Sequence, residues 1–304
     1  MDCWAFEAIG THWEISAEAA LDAATRAAVS ALVSGYDQAL SRFRSDSILA
    51  GLVHGGGTAS LPGYTAELFS LFDALDRLTE GRMNPLVGGS LELLGYGPGY
   101  RLTPQGPAAG APPWRRAVQW EAVQREPVQR EAEQREAAGA GEVRLSLDRP
   151  ATIDVGAAGK GQLVDLVWEL VTGRGYASVV VDAGSDMRHC GPGLRIGLEH
   201  PFDPSRAIGV VQLQDRALCA SASNRRTWGD GLHHVLDAST GLPVQAVAAT
   251  WVLARDAMTA DGLATALFLT DPSSLAAEFD FDYVRMFSDG RAEYSSAMAG
   301  VLYS

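Results

Sequence analysis

Three short stretches of this chain hold residue types that could do chemistry together. In Ile153-Asp154-Val155-Gly156-Ala157-Ala158-Gly159-Lys160-Gly161-Gln162, a carboxylate at a strand end is followed by small residues and then a lysine at a helix start. Exposed amides, the positive end of a helix dipole and a cation coincide there, which makes an anion cradle. It is not a Walker A loop, because Gly161 rather than Ser or Thr follows Lys160 and the glycine spacing differs. In Ala260-Asp261-Gly262-Leu263-Ala264-Thr265, Asp261 and Thr265 stand four apart on one helix face and can offer oxygens to a hard cation such as magnesium. On spacing alone, the plainer account is an acid serving the helix dipole and a threonine facing the core. The third stretch, Gly231 to Gly241, holds His233-His234 in a strand context, preceded by Arg225-Arg226. Neighbouring strand residues point to opposite faces, so one histidine looks into a given site and the pair cannot chelate one metal. That leaves a general base with Arg226 near a phosphate, or a hydrogen-bonded strand histidine and a solvated arginine.

Lys160 stands out again in the composition. The 24 basic residues are 23 arginines and this one lysine. A position that keeps lysine against that background suits a compact ammonium with three donors better than a planar fork. The 37 acidic residues bring the formal charge to -13, and the dense arginine run is interleaved with glutamate, so no basic stripe follows a phosphate backbone and nucleic-acid binding is not expected. No apolar run of about 18 residues occurs, so no membrane span is expected. Cys3, Cys190 and Cys219 are too scattered for a disulfide framework or a zinc cluster. Residues 1 to 12 lack a basic and then apolar leader, which reads as cytoplasmic on the sequence as given, or as extracytoplasmic if a leader is missing.

Elements that would position these residues can be read from periodicity. Helices are expected from Ser16 to about Leu40, with Ser16 and Glu18 as start signals, over Tyr64 to Leu78, over Gln162 to Thr172, and from an N-cap at Thr259 to Leu269. Gly55 to Gly57 and the Gly-rich stretch from Pro85 to Tyr100 read as loops. Strands are expected at Val143–Leu147, Ser178–Val181, Leu194–Leu198 and Val247–Leu253, with Ile208–Leu213 and Ala217–Ala220 as an antiparallel pair. Tyr283–Phe287 and Arg291–Tyr294 read as a hairpin across Ser288, Asp289 and Gly290. Residues 106–142 hold a Val-Gln-Arg-Glu type repeat whose period of five fits neither helix nor strand; a low-complexity, mobile insertion is expected. The class is α+β, with residues 1–304 as one domain and enough chain for a real core.

Taken together, the segments resemble the ApbE family, the FAD:protein FMN transferases, in order along nearly the whole chain. The likeness rests on Gly10-Thr11-x-Trp13, Leu40 to Ser47, Met83 to Gly88 with Leu94-Gly95-Tyr96, and the Asp154-to-Asp165 motif. It continues through Val181 to Asp186, Glu199-His200-Pro201, the His-His-x-x-Asp segment and Ala260 to Thr265. Asn84, Ser185, Ala222, Asn224 and Val53 depart from the family pattern. The resemblance implies a T-fold-like α+β structure of mixed sheets with packed helices, one compact two-lobed unit. It implies magnesium-dependent transfer of FMN from FAD to a Thr or Ser hydroxyl of an acceptor flavoprotein, releasing AMP. It further implies metal ligands at the Ala157 carbonyl, Asp261, Thr265 and the Ala264 carbonyl. FAD contacts are implied at Ile9, Phe43, Asn84, Asp154, Lys160 and the Val235 backbone, with Arg226 near phosphate, and His234 and Asp261 in catalysis. Two other readings use the same residues: an FAD pyrophosphatase giving FMN and AMP, and a protein that binds FAD without turnover.

Overall fold

In the computed structural model, which describes residues 1–123 and 141–303, the chain opens on a hairpin rather than a helix. Trp13, Ile15 and Ala17 are fully buried and alternate with more exposed residues, the period-2 pattern of a strand with one covered face. Strands β1 (Asp2–Ala8) and β2 (Thr11–Ala17) therefore pair, and the helix expected from Ser16 starts later, as α1 (Ala23–Leu40). Ser16 lies in the ladder between Cys3 and Val180. The helix is capped instead by Asp22, whose side chain accepts from the Thr25 amide at 2.6 Å.

Next come β3 (Gly57–Pro62), α2 (Thr65–Leu78), the short α3 (Gly88–Leu93) and α4 (Trp114–Ala117), β4 (Val118–Val123) and β5 (Glu142–Leu147). Strands β3, β5 and β4 make a three-stranded sheet. The described part of the 106–142 stretch, residues 106–123 and 141–142, carries α4, β4 and the start of β5. Trp114 and Trp120 both donate indole N–H groups to the Asp73 carboxylate, at 2.6 and 3.1 Å, and Trp114 is buried beside α2. The repeat from Gln124 onward lies outside the described residues.

The chain continues through α5 (Gly159–Gly173), β6 (Val179–Asp182), β7 (Asp186–Cys190), β8 (Leu194–His200), β9 (Asp203–Leu213) and β10 (Ala217–Ala222). Four two-residue strands follow: β11 (Thr227–Trp228), β12 (Leu232–His233), β13 (Leu236–Asp237) and β14 (Leu242–Pro243). Strand β15 (Val247–Ala254), helices α6 (Ala257–Ala266) and α7 (Pro272–Ala276), and strands β16 (Asp282–Phe287) and β17 (Ala292–Tyr294) complete the fold. One eight-stranded sheet has the order β1-β2-β6-β7-β10-β15-β16-β17, antiparallel throughout, with the expected β16–β17 hairpin at its edge. Antiparallel sheets with packed helices are the α+β class expected.

Strand β10 shows how the sheet works. Ala217 and Cys219 face the core that contains α1, α2, α5 and α6, while Leu218 and Ala220 face a second core with the β8–β9 ribbon. Both sheet faces are covered here, which is why all eight residues of β15 are buried and apolar or nearly so. It also corrects the expected pairing of Ile208–Leu213 with Ala217–Ala220. Strand β9 pairs with β8, and β10 lies between β7 and β15, so these consecutive strands stack as layers rather than neighbours. No helix among the described residues is long and apolar enough to cross a membrane.

Candidate active site

Helices α5 and α6 begin side by side, and this crossing builds the site. A Cβ on Gly161 would run into the Ala257 carbonyl, so close approach requires glycine there. The Gly161 N–H donates to Asp261 Oδ2 at 2.9 Å. One turn further along α5, Asp165 accepts from the Ala257 and Met258 amides, each at 2.8 Å, and from Arg188 at 2.8 Å. Asp256 accepts from the Thr259 amide at 2.8 Å. The N-cap of α6 is therefore Asp256, not Thr259: two carboxylates supply acceptors for first-turn amides and the helix starts earlier.

Burial is the main influence on Asp165 and, against Arg188 and the two amides, pushes its pKa from 3.8 up to about 6. The folded protein holds this proton more tightly than the unfolded chain. The associated stability is fully present below about pH 4 and is lost as the pH rises through 6, about 3 kcal/mol in all. Urea unfolding checks this: the wild-type margin over Asp165→Asn shrinks by about that amount between about pH 4 and pH 7.5. A margin independent of pH refutes it.

The start of α5, and α6 through Asp261 and Thr265, open on a cavity of about 1150 Å³. Ile9, Phe43, Asn84, Asp154, Ala157, Lys160, Arg226, His234, Val235, Asp261 and Thr265 all line it, whereas Ala264 does not. Around Lys160 the charge is set by three carboxylates, Asp154, Asp186 and Asp261, with Arg42 and Arg226 as further cations. Lys160 donates to Ser185 Oγ at 2.5 Å and pairs with Asp186, which is fully buried. Burial disfavours the ammonium, but Asp186 and Asp261 outweigh it and hold the Lys160 pKa above its ordinary value. For Asp261, burial and then the Asp186 charge push the pKa well up, against Lys160 and the Gly161 amide. Burial works the same way on Asp154, yet Arg42 and the Gly156 amide at 2.7 Å win and keep it below the usual carboxylate range.

The oxygens at this crossing suit a hard cation. Asp261 is a buried carboxylate short of positive charge. The Gly161 amide goes to Asp261 rather than to the Ala157 carbonyl one turn back, and Thr265 brings a hydroxyl to the same cavity. Such a donor set fits magnesium better than a soft metal. No group of three His, Cys, Asp or Glu side chains that could hold a metal is present among the described residues. The Ala264 carbonyl accepts from the Thr250 hydroxyl at 2.7 Å and the residue is fully buried, outside the cavity lining.

The two histidines divide as strand geometry demands. His233 bonds through Nε2 to the Val244 carbonyl at 2.8 Å, while Nδ1 accepts from the Val235 amide at 3.3 Å. His234 faces the cavity with Nδ1 buried and unpartnered. Burial, then the charges of Arg226 and His233, push its pKa down to about 3, so the imidazole is neutral in the ligand-free protein.

The sequence model described as the ApbE family matches residues 9–281. The chain belongs to the ApbE family. Two curated relatives are the FAD:protein FMN transferases of Klebsiella pneumoniae and Vibrio cholerae. The first is 26% identical over 282 residues, covering 87% of this chain and 77% of that protein. The second is 26% identical over 286 residues, covering 88% and 80%. Among solved structures, the ApbE protein of Thermotoga maritima superposes with a TM-score of 0.80 at 22% identity, covering 100% of this chain and 99% of that one. Flavin transferase ApbE from Vibrio cholerae gives 0.71 at 22% identity, with 99% of each chain covered. These structures share the α+β ApbE fold.

Within the ApbE fold, several positions named for flavin contact are already engaged by protein partners. Asn84 accepts from the Leu86 amide at 2.9 Å and donates to the Pro112 carbonyl at 2.8 Å, which uses both ends of its side chain. The Val235 amide goes to His233 and its carbonyl accepts from Val244 at 3.1 Å. Ile9 takes φ +43 beside Gly10 at φ +76, both central residues of the β1–β2 turn left-handed, which is uncommon for a β-branched residue. Asp186, Ser185 and Arg42 were not singled out by spacing. Arg42 pairs with Asp154 from 112 residues away, a relation no local pattern carries. The one available signal for Asp186 was a second acid at the close of a Gly turn facing the only lysine.

Proposed function

We propose that this ApbE chain transfers FMN from FAD to a Thr or Ser hydroxyl of an acceptor flavoprotein, with magnesium bound, and releases AMP. The observation that carries the proposal is the buried, charge-starved Asp261 set against the Lys160 anion cradle in one cavity. Lys160 and Arg226 hold the pyrophosphate, and the Phe43 ring takes the isoalloxazine. Asp261, the Thr265 hydroxyl and the Ala157 carbonyl would hold magnesium, which supplies charge neutralisation at the phosphoryl oxygens. His234 accepts the proton of the acceptor hydroxyl as its oxygen bonds to the FMN phosphorus and the bond to the AMP phosphate breaks. Its low basicity in the ligand-free protein comes partly from Arg226. A pyrophosphate on Arg226 offsets that charge and makes the imidazole a better base.

The test is incubation with FAD and magnesium, with and without a peptide bearing an acceptor Thr, following AMP and peptide mass. AMP with a peptide that gains one FMN supports transfer. AMP with free FMN and an unchanged peptide favours the pyrophosphatase, and intact FAD in every tube leaves a binding protein.

A further inference from the structure

Four aromatic rings line one end of the cavity, and one of them differs in kind. Tyr96 is buried, stacked on Trp228 at 5.2 Å and 16°, and the Trp228 indole donates to the Leu94 carbonyl at 2.8 Å. These two form a fixed wall. Phe43 stands edge-on to Tyr96 at 5.6 Å and carries the Arg42 guanidinium at 4.1 Å from its ring centre. Tyr100 lies parallel to Phe43, at 5.3 Å and 7°, yet is 54% exposed.

The loop that carries Tyr100 has a fixed base and a strained tip. At the base, Leu102 N–H donates to the Gly95 carbonyl at 2.9 Å, and a Cβ on Gly95 would run into Thr103. At the tip, Gly99, Tyr100 and Leu102 have φ of +84, +46 and +52, and the two non-glycine residues adopt a left-handed conformation that L side chains disfavour. Stacking on Phe43 and edge contact with Tyr96 at 5.9 Å are what hold the Tyr100 ring.

We propose that Tyr100 is a built-in occupant of the planar-ligand place on Phe43, and that an incoming flavin ring must displace it. The inference rests on the flavin reading of this cavity. A phenol is smaller than a three-ring flavin and stacks over less area, so a flavin wins the exchange while a smaller planar ligand gains little. Tyr100 thereby sets a threshold on ring size. The buried wall of Tyr96 and Trp228 stays in place, and the movement is confined to an exposed residue on a glycine-flanked tip.

Binding titrations separate the possibilities, with riboflavin as the ring without phosphates and ADP as the pyrophosphate without the ring. In Tyr100→Ala, riboflavin binds about 3-fold to 10-fold tighter than in wild type, the range set by one lost aromatic competitor, and FAD associates faster in stopped flow. ADP affinity is unchanged, which also reports that the variant is folded. Tyr100→Phe keeps the ring and matches wild type. Weaker riboflavin binding in Tyr100→Ala makes Tyr100 part of the bound wall and overturns the proposal, as does unchanged binding. A wild type that binds ADP but neither riboflavin nor FAD overturns the flavin reading itself and this inference with it.

Discussion

Asp261→Asn is expected to lower cation-dependent AMP release from FAD by on the order of a thousandfold, while leaving the protein at least as stable as wild type when no divalent cation is present. The two halves of this expectation have one cause. Asp261 is 4% exposed, and burial together with Asp186 disfavours its ionised form. A carboxylate so placed is a liability in the bare fold and an asset once a cation binds. Asparagine keeps an oxygen for the Gly161 amide and removes the repulsion with Asp186. Thermal unfolding across a magnesium titration is the measurement. Wild type gains about 2.7 kcal/mol at a hundred times the dissociation constant, and Asp261→Asn gains nothing. A variant that still responds to magnesium removes Asp261 from the cation site. One that loses several kcal/mol without cation shows the carboxylate to be a structural hydrogen-bond acceptor.

Lys160→Met carries the largest expected stability effect. Its ammonium is the ion-pair partner of Asp186, whose side chain has no exposure at all. Removing one member of a buried pair leaves an uncompensated charge and destabilises by about 3–5 kcal/mol. The double variant Lys160→Met, Asp186→Asn removes both charges and returns to within about 1–2 kcal/mol of wild type, because the pair itself is worth far less than the orphan costs. Flavin transfer is expected to stay lost in both, since the cradle lacks the Lys160 ammonium and of its two cations keeps only Arg226. Urea unfolding of the three proteins decides the matter. A single variant as stable as wild type, or a double variant no better than the single, contradicts the pairing seen here.

Local signals were readable where the chemistry depends on one helix start. Lys160 and Asp261 each sit in the first turns of a helix, and small residues followed by a polar one mark such starts without knowledge of the fold. Each lies on the helix expected of it, and the cavity unites them. Misreadings came where composition was ambiguous or the partner remote. Ser16 and Ala17 suit a helix start as well as a strand end, and pairing with β6 selects the strand, while Glu18 to Asp22 form the connection to α1. Ile208–Leu213 and Ala217–Ala220 alternate like a hairpin, but the second core separates them into layers. The Ala264 carbonyl accepts from Thr250 on β15, a partner that no local pattern carries. The acid that balances Lys160 follows a turn at the far end of β6, where no spacing rule points.

The α5–α6 crossing has a bearing on how the molecule is made. Gly161 meets Asp261 across 100 residues, and Asp165 meets Ala257 across 92. Contacts of that range close late, because loop entropy must be overcome before they form. A nascent chain that has emerged only as far as β14 carries the anion cradle but not the acid, threonine or helix that complete it. The cation position is consequently completed only in the nearly finished polypeptide, and truncation before α6 leaves the cradle without the acid and hydroxyl that face it.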